Sequence, residues 1–117
     1  MSDSSFERRK SLRANVSIPV EVRSGRDFAI HSTRDVSSGG LFLDRAIPAR
    51  VGSRVELTFT LPGTHGDSRV IRCAGEIANV PNAHGYGMGV RFFNLAPADE
   101  KRLNEFAQSI ANGANSN

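Results

Sequence analysis

The chain has 117 residues, enough for one domain with a small core, since a domain of this size buries somewhat over about 60% of the surface its unfolded chain would expose. Basic residues outnumber acidic ones by 15 to 12, too slight an excess to mark a nucleic-acid binder by itself, although Lys10 and Lys101 are the only lysines and every other cation is an arginine. A single cysteine, Cys73, leaves no internal disulfide and no cysteine-based metal site, and it reads as a small buried hydrophobe. No apolar stretch approaches the roughly 18 residues of a spanning helix, and Met1 to Arg13 lacks the apolar middle of a secretory signal, so the expected location is the cytoplasm.

From Val16 to Val22, Val16, Ile18, Val20 and Val22 alternate with Ser17, Pro19 and Glu21, the period of a strand buried on one face. Pro19 cannot donate to a ladder and predicts an edge position or a bulge there. Ser24-Gly25-Arg26-Asp27 reads as a hairpin turn into a second strand through Phe28 and Ile30 to Val36, more polar between His31 and Asp35. Gly39-Gly40 interrupts it, and Leu41-Phe42-Leu43 resumes.

Gly52-Ser53 opens a stronger alternation of Val55, Leu57, Phe59 and Leu61, closed by Pro62-Gly63. The strand from Val70 to Val80 has two mixed faces, with a bend expected at Gly75. Tyr86, Met88, Val90 and Phe92 then form an apolar face opposite Gly85, Gly87 and Gly89, glycines expected to pack under a neighbour such as the C-terminal helix. That helix is signalled by Leu103, Phe106, Ala107 and Ile110 at helical spacing after Pro97, with Asp99 and Glu100 at the positive end of its dipole. Six short strands and one amphipathic helix predict a mainly β, antiparallel barrel whose closure removes free edges and whose open end the helix covers.

Two polar segments stand apart. Glu7-Arg8-Arg9-Lys10-Ser11-Leu12-Arg13 concentrates four cations within six residues ahead of the first strand, an anion site that, taken alone, is also what a solvated basic tail looks like. Phe6 and Leu12 could serve only as shallow, weak membrane anchors. Arg34-Asp35-Val36-Ser37-Ser38-Gly39-Gly40 lies between two strands; alone it reads as a turn, with Asp and Ser capping local amides and Gly40 supplying an unusual backbone geometry.

Together, Arg8-Arg9-xxx-Arg13 followed by Asp35-x-Ser37-x-x-Gly40 resembles the paired signature of the PilZ domain, a family of bacterial receptors for cyclic di-GMP. Gly52-Ser53-Arg54-Val55-Glu56-Leu57 and Gly87-Met88-Gly89-Val90-Arg91-Phe92 resemble that family's later strands, so the likeness covers roughly Arg8 to Ile110. It implies a six-stranded antiparallel PilZ-type barrel over residues 16–94, inside a domain spanning 8–111. Around the barrel lie an arginine arm at 8–13 and a helix at 97–111, with disordered tails at 1–7 and 112–117.

The resemblance also implies a ligand, cyclic di-GMP, held by Arg8, Arg9, Arg13, Asp35, Ser37 and Gly40, with Arg34, Ser38, Gly39 and Arg91 as further candidates. The residue types suit that ligand. An arginine can fork onto a phosphate, bond guanine O6 and N7, or stack on a base; Asp35 can accept from guanine N1–H and N2–H; Ser37 can bond a phosphate or a base edge; and Gly40 lets a ligand approach the backbone. In the family an arginine at the place of Arg8 goes with two intercalated ligand molecules per domain, which is the expected stoichiometry. Arm ordering is the expected signal, read by an unidentified protein of the motility, adhesion or exopolysaccharide machinery.

Other classes are disfavoured. His31, His65 and His84 lack ligand spacing, so neither metal nor cofactor is expected, and no nucleophile elbow or buried carboxylate pair points to an enzyme. A nucleic-acid-binding barrel would show exposed aromatics. Here Phe28, Phe42, Phe59, Tyr86, Phe92 and Phe106 all read as core. A PilZ adaptor that binds no nucleotide would be expected to have lost the arginines or the Asp-Ser-Gly set.

Overall fold

A computed structural model of the chain describes residues 12–45, 50–63, 68–79 and 87–115. The described chain forms strands β1 (Pro19–Ser24), β2 (Asp27–Val36), β3 (Gly40–Leu43), β4 (Arg54–Leu61), β5 (Arg69–Asn79) and β6 (Met88–Phe93), then helix α1 (Pro97–Asn115). The strands close into an antiparallel barrel in the order β1-β2-β3-β6-β5-β4.

Alternation decides which residues fill it. Val20 and Val22 of β1, Leu41 and Leu43 of β3, and Val55, Leu57, Phe59 and Leu61 of β4 are buried, and the residues between them face outward or lie half-buried. The mixed pattern of β5 resolves in favour of Ile71, Gly75 and Ile77 as the inner set, with Arg72 and Ala78 exposed on the other face. Pairing runs through Gly75 on both sides without a register shift. A Cβ there would lie 2.6 Å from Val90 Cγ1 and 3.0 Å from Leu57 Cδ1, and the strand's irregularity falls instead between Ile77 and Asn79.

Pro19 stands at an edge-like position, with β2 on one side and, among the described residues, no paired strand on the other, and no bulge occurs there. It is the first residue of β1, and the ladder with β4 begins one residue later at Val20↔Phe59, so no strand asks the missing N–H for a bond. The turn at Gly25-Arg26 is as expected: a two-residue loop with φ +62° at Gly25 alone, the type II′ pattern that matches strand twist.

Leu103, Phe106 and Ala107 of α1 join the barrel core, and Ile110 packs against it. The helix is tied to the start of β5 by Asp99, whose Oδ1 accepts from Arg69 Nε at 2.8 Å. It continues to Asn115, past the expected end at 111.

Candidate functional site

Three long-range contacts build the site around residues 13–18 and 33–40. Ala14 makes an isolated two-way bridge to Val36, with its N–H to Val36 O at 2.8 Å and the return bond at 3.0 Å. Thr33, 2% exposed, donates its hydroxyl to Val16 O at 2.6 Å and accepts from Ile18 N at 2.9 Å, binding the approach to β1 onto β2. Ala14 is itself buried and Leu12 packs against the core. Arg13 therefore projects from a segment already fastened to the barrel. Arg8 and Arg9 lie outside the described residues, as do His65, His84 and Tyr86.

Asp35 owes its direction to a β-bulge. Thr33 faces the core, so unbroken alternation would turn Asp35 inward as well; the register shift between Thr33 and Asp35 puts Val36 in the core instead and Asp35 on the outside. There the carboxylate Oδ1 accepts from Arg13 Nη1 at 2.5 Å. The Arg13 side chain is 60% exposed and that of Asp35 only 19%, so the acid is more sheltered than an open surface group and its arginine forms the accessible half of the pair.

Ser37 is buried and holds the turn after β2. Its N–H bonds Gly40 O at 2.8 Å, and its hydroxyl accepts from Gly39 N at 3.1 Å and donates to Gly40 O at 3.3 Å. Gly40 does not need an unusual φ, as the turn reading supposed. It needs the absence of a side chain, because a Cβ would come within 2.2 Å of the Val90 carbonyl oxygen on the adjacent strand β6.

Arg13, Ser37, Gly39, Gly40, Phe42 and Arg91 are among the residues lining an open cleft of about 280 Å³ over the β3–β6 pair. Arg91 lies across the β3–β6 ladder from Gly40, lines the cleft and is 3.5 Å from Glu76. Arg34 lies 3.5 Å from Asp44, with its guanidinium 5.0 Å from the ring centroid of the cleft residue Phe42. Ser38 is half-buried beside the turn.

Two aromatics read as core are not. Phe42 lies between the inward Leu41 and Leu43, so it stands on the outer face, half-buried, beside the cleft. Its ring occupies the space a Cβ at Gly87 would enter, which makes Phe42, and not the helix, the neighbour that Gly87 accommodates. The alternation Leu-Phe-Leu carried that signal. Phe28 is 51% exposed beneath the Arg23 guanidinium, because it too sits on the outer side of its hairpin. Phe59 and Phe106 are buried, and Phe92 stacks on Phe59 with ring centroids 6.0 Å apart.

Among the described residues no cluster of histidine, cysteine and carboxylate groups could hold a metal. Burial and the nearby Arg45 hold His31 below the usual imidazole range. Burial, reinforced by the charge of Asp99, pushes the Cys73 thiol up to about 11.

The profile of the PilZ domain family matches residues 7–109, nearly the whole chain. The chain belongs to the PilZ family. Comparison with curated proteins finds no match. Among solved structures, this PilZ domain resembles MotI/DgrA, the inhibitor of motility of Bacillus subtilis, with a TM-score of 0.77 and 16% identity over 92% of this chain and 53% of that one. It resembles the PilZ domain of Escherichia coli YcgR solved with c-di-GMP, with a TM-score of 0.66 and 19% identity over 93% and 95% of the two chains. The PilZ domain of CeSA from a cellulose-synthesizing bacterium gives 0.61 and 19% over 85% and 97%. At these identities the likeness is one of fold, and the chain spans about half the length of MotI/DgrA.

Proposed function

We propose that this PilZ domain is a receptor for cyclic di-GMP, not an enzyme, and that Arg13, Asp35, Ser37 and Gly40 form the fixed half of its binding site. The observation that carries this reading is the Arg13–Asp35 pair, set beside an open cleft by the Ala14–Val36 bridge and the bulge in β2. The pair joins a phosphate-binding cation to an acceptor for guanine N1–H and N2–H, the two chemistries that a guanine-containing dianion requires. The c-di-GMP complex of the YcgR PilZ domain, alike in fold, supports the choice of ligand.

In this reading Arg13 turns a free edge of its guanidinium fork to a phosphate while it keeps Asp35 in place. Arg91 adds a second cation across the cleft, and the open face over Gly39 and Gly40 admits the ligand close to the backbone. Arg8 and Arg9 close from the arm, and the ligand-clamped arm is the surface that a partner reads. Ser37 acts chiefly by holding the turn that shapes the cleft, since its hydroxyl is engaged with Gly39 and Gly40.

Calorimetric titration of cyclic di-GMP tests the proposal, with linear GMP, cyclic di-AMP and a single-stranded oligonucleotide as comparisons. Cyclic di-GMP is expected to bind in preference to all three. A charge-assisted hydrogen bond is worth about 1.5–3 kcal/mol, so Arg13→Ala and Asp35→Ala should each weaken binding by roughly 10- to 100-fold or more with the fold intact. Wild-type affinity in either variant, or equal binding of the oligonucleotide, would overturn the assignment.

A further inference from the structure

Among the described residues, the first half of β2 has a strand on one side only. β2 runs for ten residues from Asp27 to Val36, but β3 pairs only with its C-terminal part, Thr33 to Val36. Beyond Leu43 the single bond from Asp44 N–H to Ser32 O, at 2.8 Å, extends that contact, and the chain then bends at Asp44 and Arg45. From Asp27 to His31, β2 has β1 on one side and, among the described residues, no strand on the other.

The direction of the backbone groups follows from the ladder. Thr33 N–H bonds Ile18 O at 3.0 Å, and alternate residues of an antiparallel strand bond to the same side. Asp27, Ala29 and His31 therefore bond toward β1, and the N–H and C=O groups of Phe28 and Ile30 point out from the free edge. The side chains there are apolar and exposed, Phe28 51% with the Arg23 guanidinium 5.3 Å from its ring centroid, and Ile30 62%. Natural edges are commonly blunted by lysine, proline or inward charge, and Phe28-Ala29-Ile30 carries none of these.

The segment is also chemically complementary to itself when reversed. Asp27-Phe28-Ala29-Ile30-His31 reads as acceptor, aromatic, small, aliphatic and imidazole. Antiparallel to an identical copy, with a two-fold axis through Ala29, Phe28 falls opposite Ile30 and Asp27 opposite His31. The outward groups of Phe28 and Ile30 then meet as hydrogen-bonded pairs, the aromatic ring faces a β-branched side chain, and a carboxylate meets a ring N–H donor. A register moved by one residue places the outward groups of one copy against residues that bond inward.

We propose that the chain self-associates through the free edge of β2, with Asp27–His31 of two copies pairing antiparallel about a two-fold axis at Ala29. This surface is an isologous patch, and it involves neither Arg13 nor the cleft. Because only a short edge and two apolar side chains per copy meet, the dimer is weak, with Kd on the order of 0.1–1 mM.

Sedimentation and light scattering of the nucleotide-free chain should show an average mass rising above 12.6 kDa toward twice that value as concentration approaches about 1 mM. Ile30→Lys, at an exposed site where a folded monomer tolerates it, should remain monomeric throughout. In a Cys73→Ala background, Ala29→Cys places two thiols together at the axis and should oxidise to a covalent dimer at least about tenfold faster than Ser17→Cys, also at an exposed site. A mass of 12.6 kDa at every concentration, association of Ile30→Lys equal to wild type, or equal oxidation rates for the two cysteines would each overturn the proposal.

Discussion

Replacing Gly40 by alanine tests the packing that shapes the cleft. The added methyl would sit 2.2 Å from the Val90 carbonyl oxygen and 3.1 Å from the Arg91 Cα, both backbone atoms of β6 that no side-chain rotation can move aside. Relief requires β3 and β6 to part by about 1 Å, since carbon and oxygen pack at roughly 3.2 Å or more. That movement strains two bonds at the site, Phe92 N–H to Gly39 O at 2.9 Å and Ser37 N–H to Gly40 O at 2.8 Å. Overpacking of about 1–3 kcal/mol and two weakened bonds of about 0.5–1.5 kcal/mol each give a loss of roughly 3 kcal/mol. For a domain of this size that lowers Tm by on the order of 10 °C. Thermal unfolding followed by circular dichroism measures it, with Ser17→Ala at an exposed position as the comparison, expected within about 0.5 kcal/mol of wild type. Amide exchange at Phe92 should quicken in Gly40→Ala. If the variant loses under about 1 kcal/mol and the Phe92 amide keeps its protection, the two strands are not as tightly apposed as argued.

Thr33→Val keeps the shape of a buried side chain but strands the Ile18 N–H and the Val16 carbonyl, so it should cost about 1–3 kcal/mol in denaturant unfolding and speed exchange of the Ile18 amide. By loosening the segment that carries Arg13, it should also weaken cyclic di-GMP binding in the same titration. The Cys73 thiol, raised from about 9 to about 11, should react with a disulfide reagent at pH 8 about 100-fold more slowly than an unperturbed cysteine. Because the folded state holds this proton more tightly, the associated stability is complete below pH about 9 and is lost as pH rises toward about 11; Cys73→Ala should remove that part of the alkaline decline. Asp99→Ala frees Arg69 and removes an acid from the first turn of α1, and should lower stability by about 1–2 kcal/mol on urea unfolding.

The amino-acid sequence by itself determined the elements whose signals are local. The alternation from Val55 to Leu61 places β4, the Gly25-Arg26 loop marks the hairpin, and Leu103, Phe106 and Ala107 after Pro97 mark the helix, because side-chain periods of 2 and 3.6 residues are written in neighbouring positions. The motif of Asp35, Ser37 and Gly40 was legible as a unit, and with the arginines of the arm it pointed to the family that the match over 7–109 shows. Tertiary structure alone decided what each of those residues does locally. Asp35 faces out because a bulge interrupts the pairing of β2 with β3; Arg13 stands beside it because Ala14 bridges to Val36, 22 positions away; Gly40 is needed because β6 approaches its α-carbon. Phe42 stands outward by the local alternation of Leu41-Phe42-Leu43, but Phe28 lies outside because which face of a hairpin meets the core depends on strands distant in the chain. A register, and hence the direction of every side chain that it governs, is a property of two strands together, and no single stretch of sequence contains it.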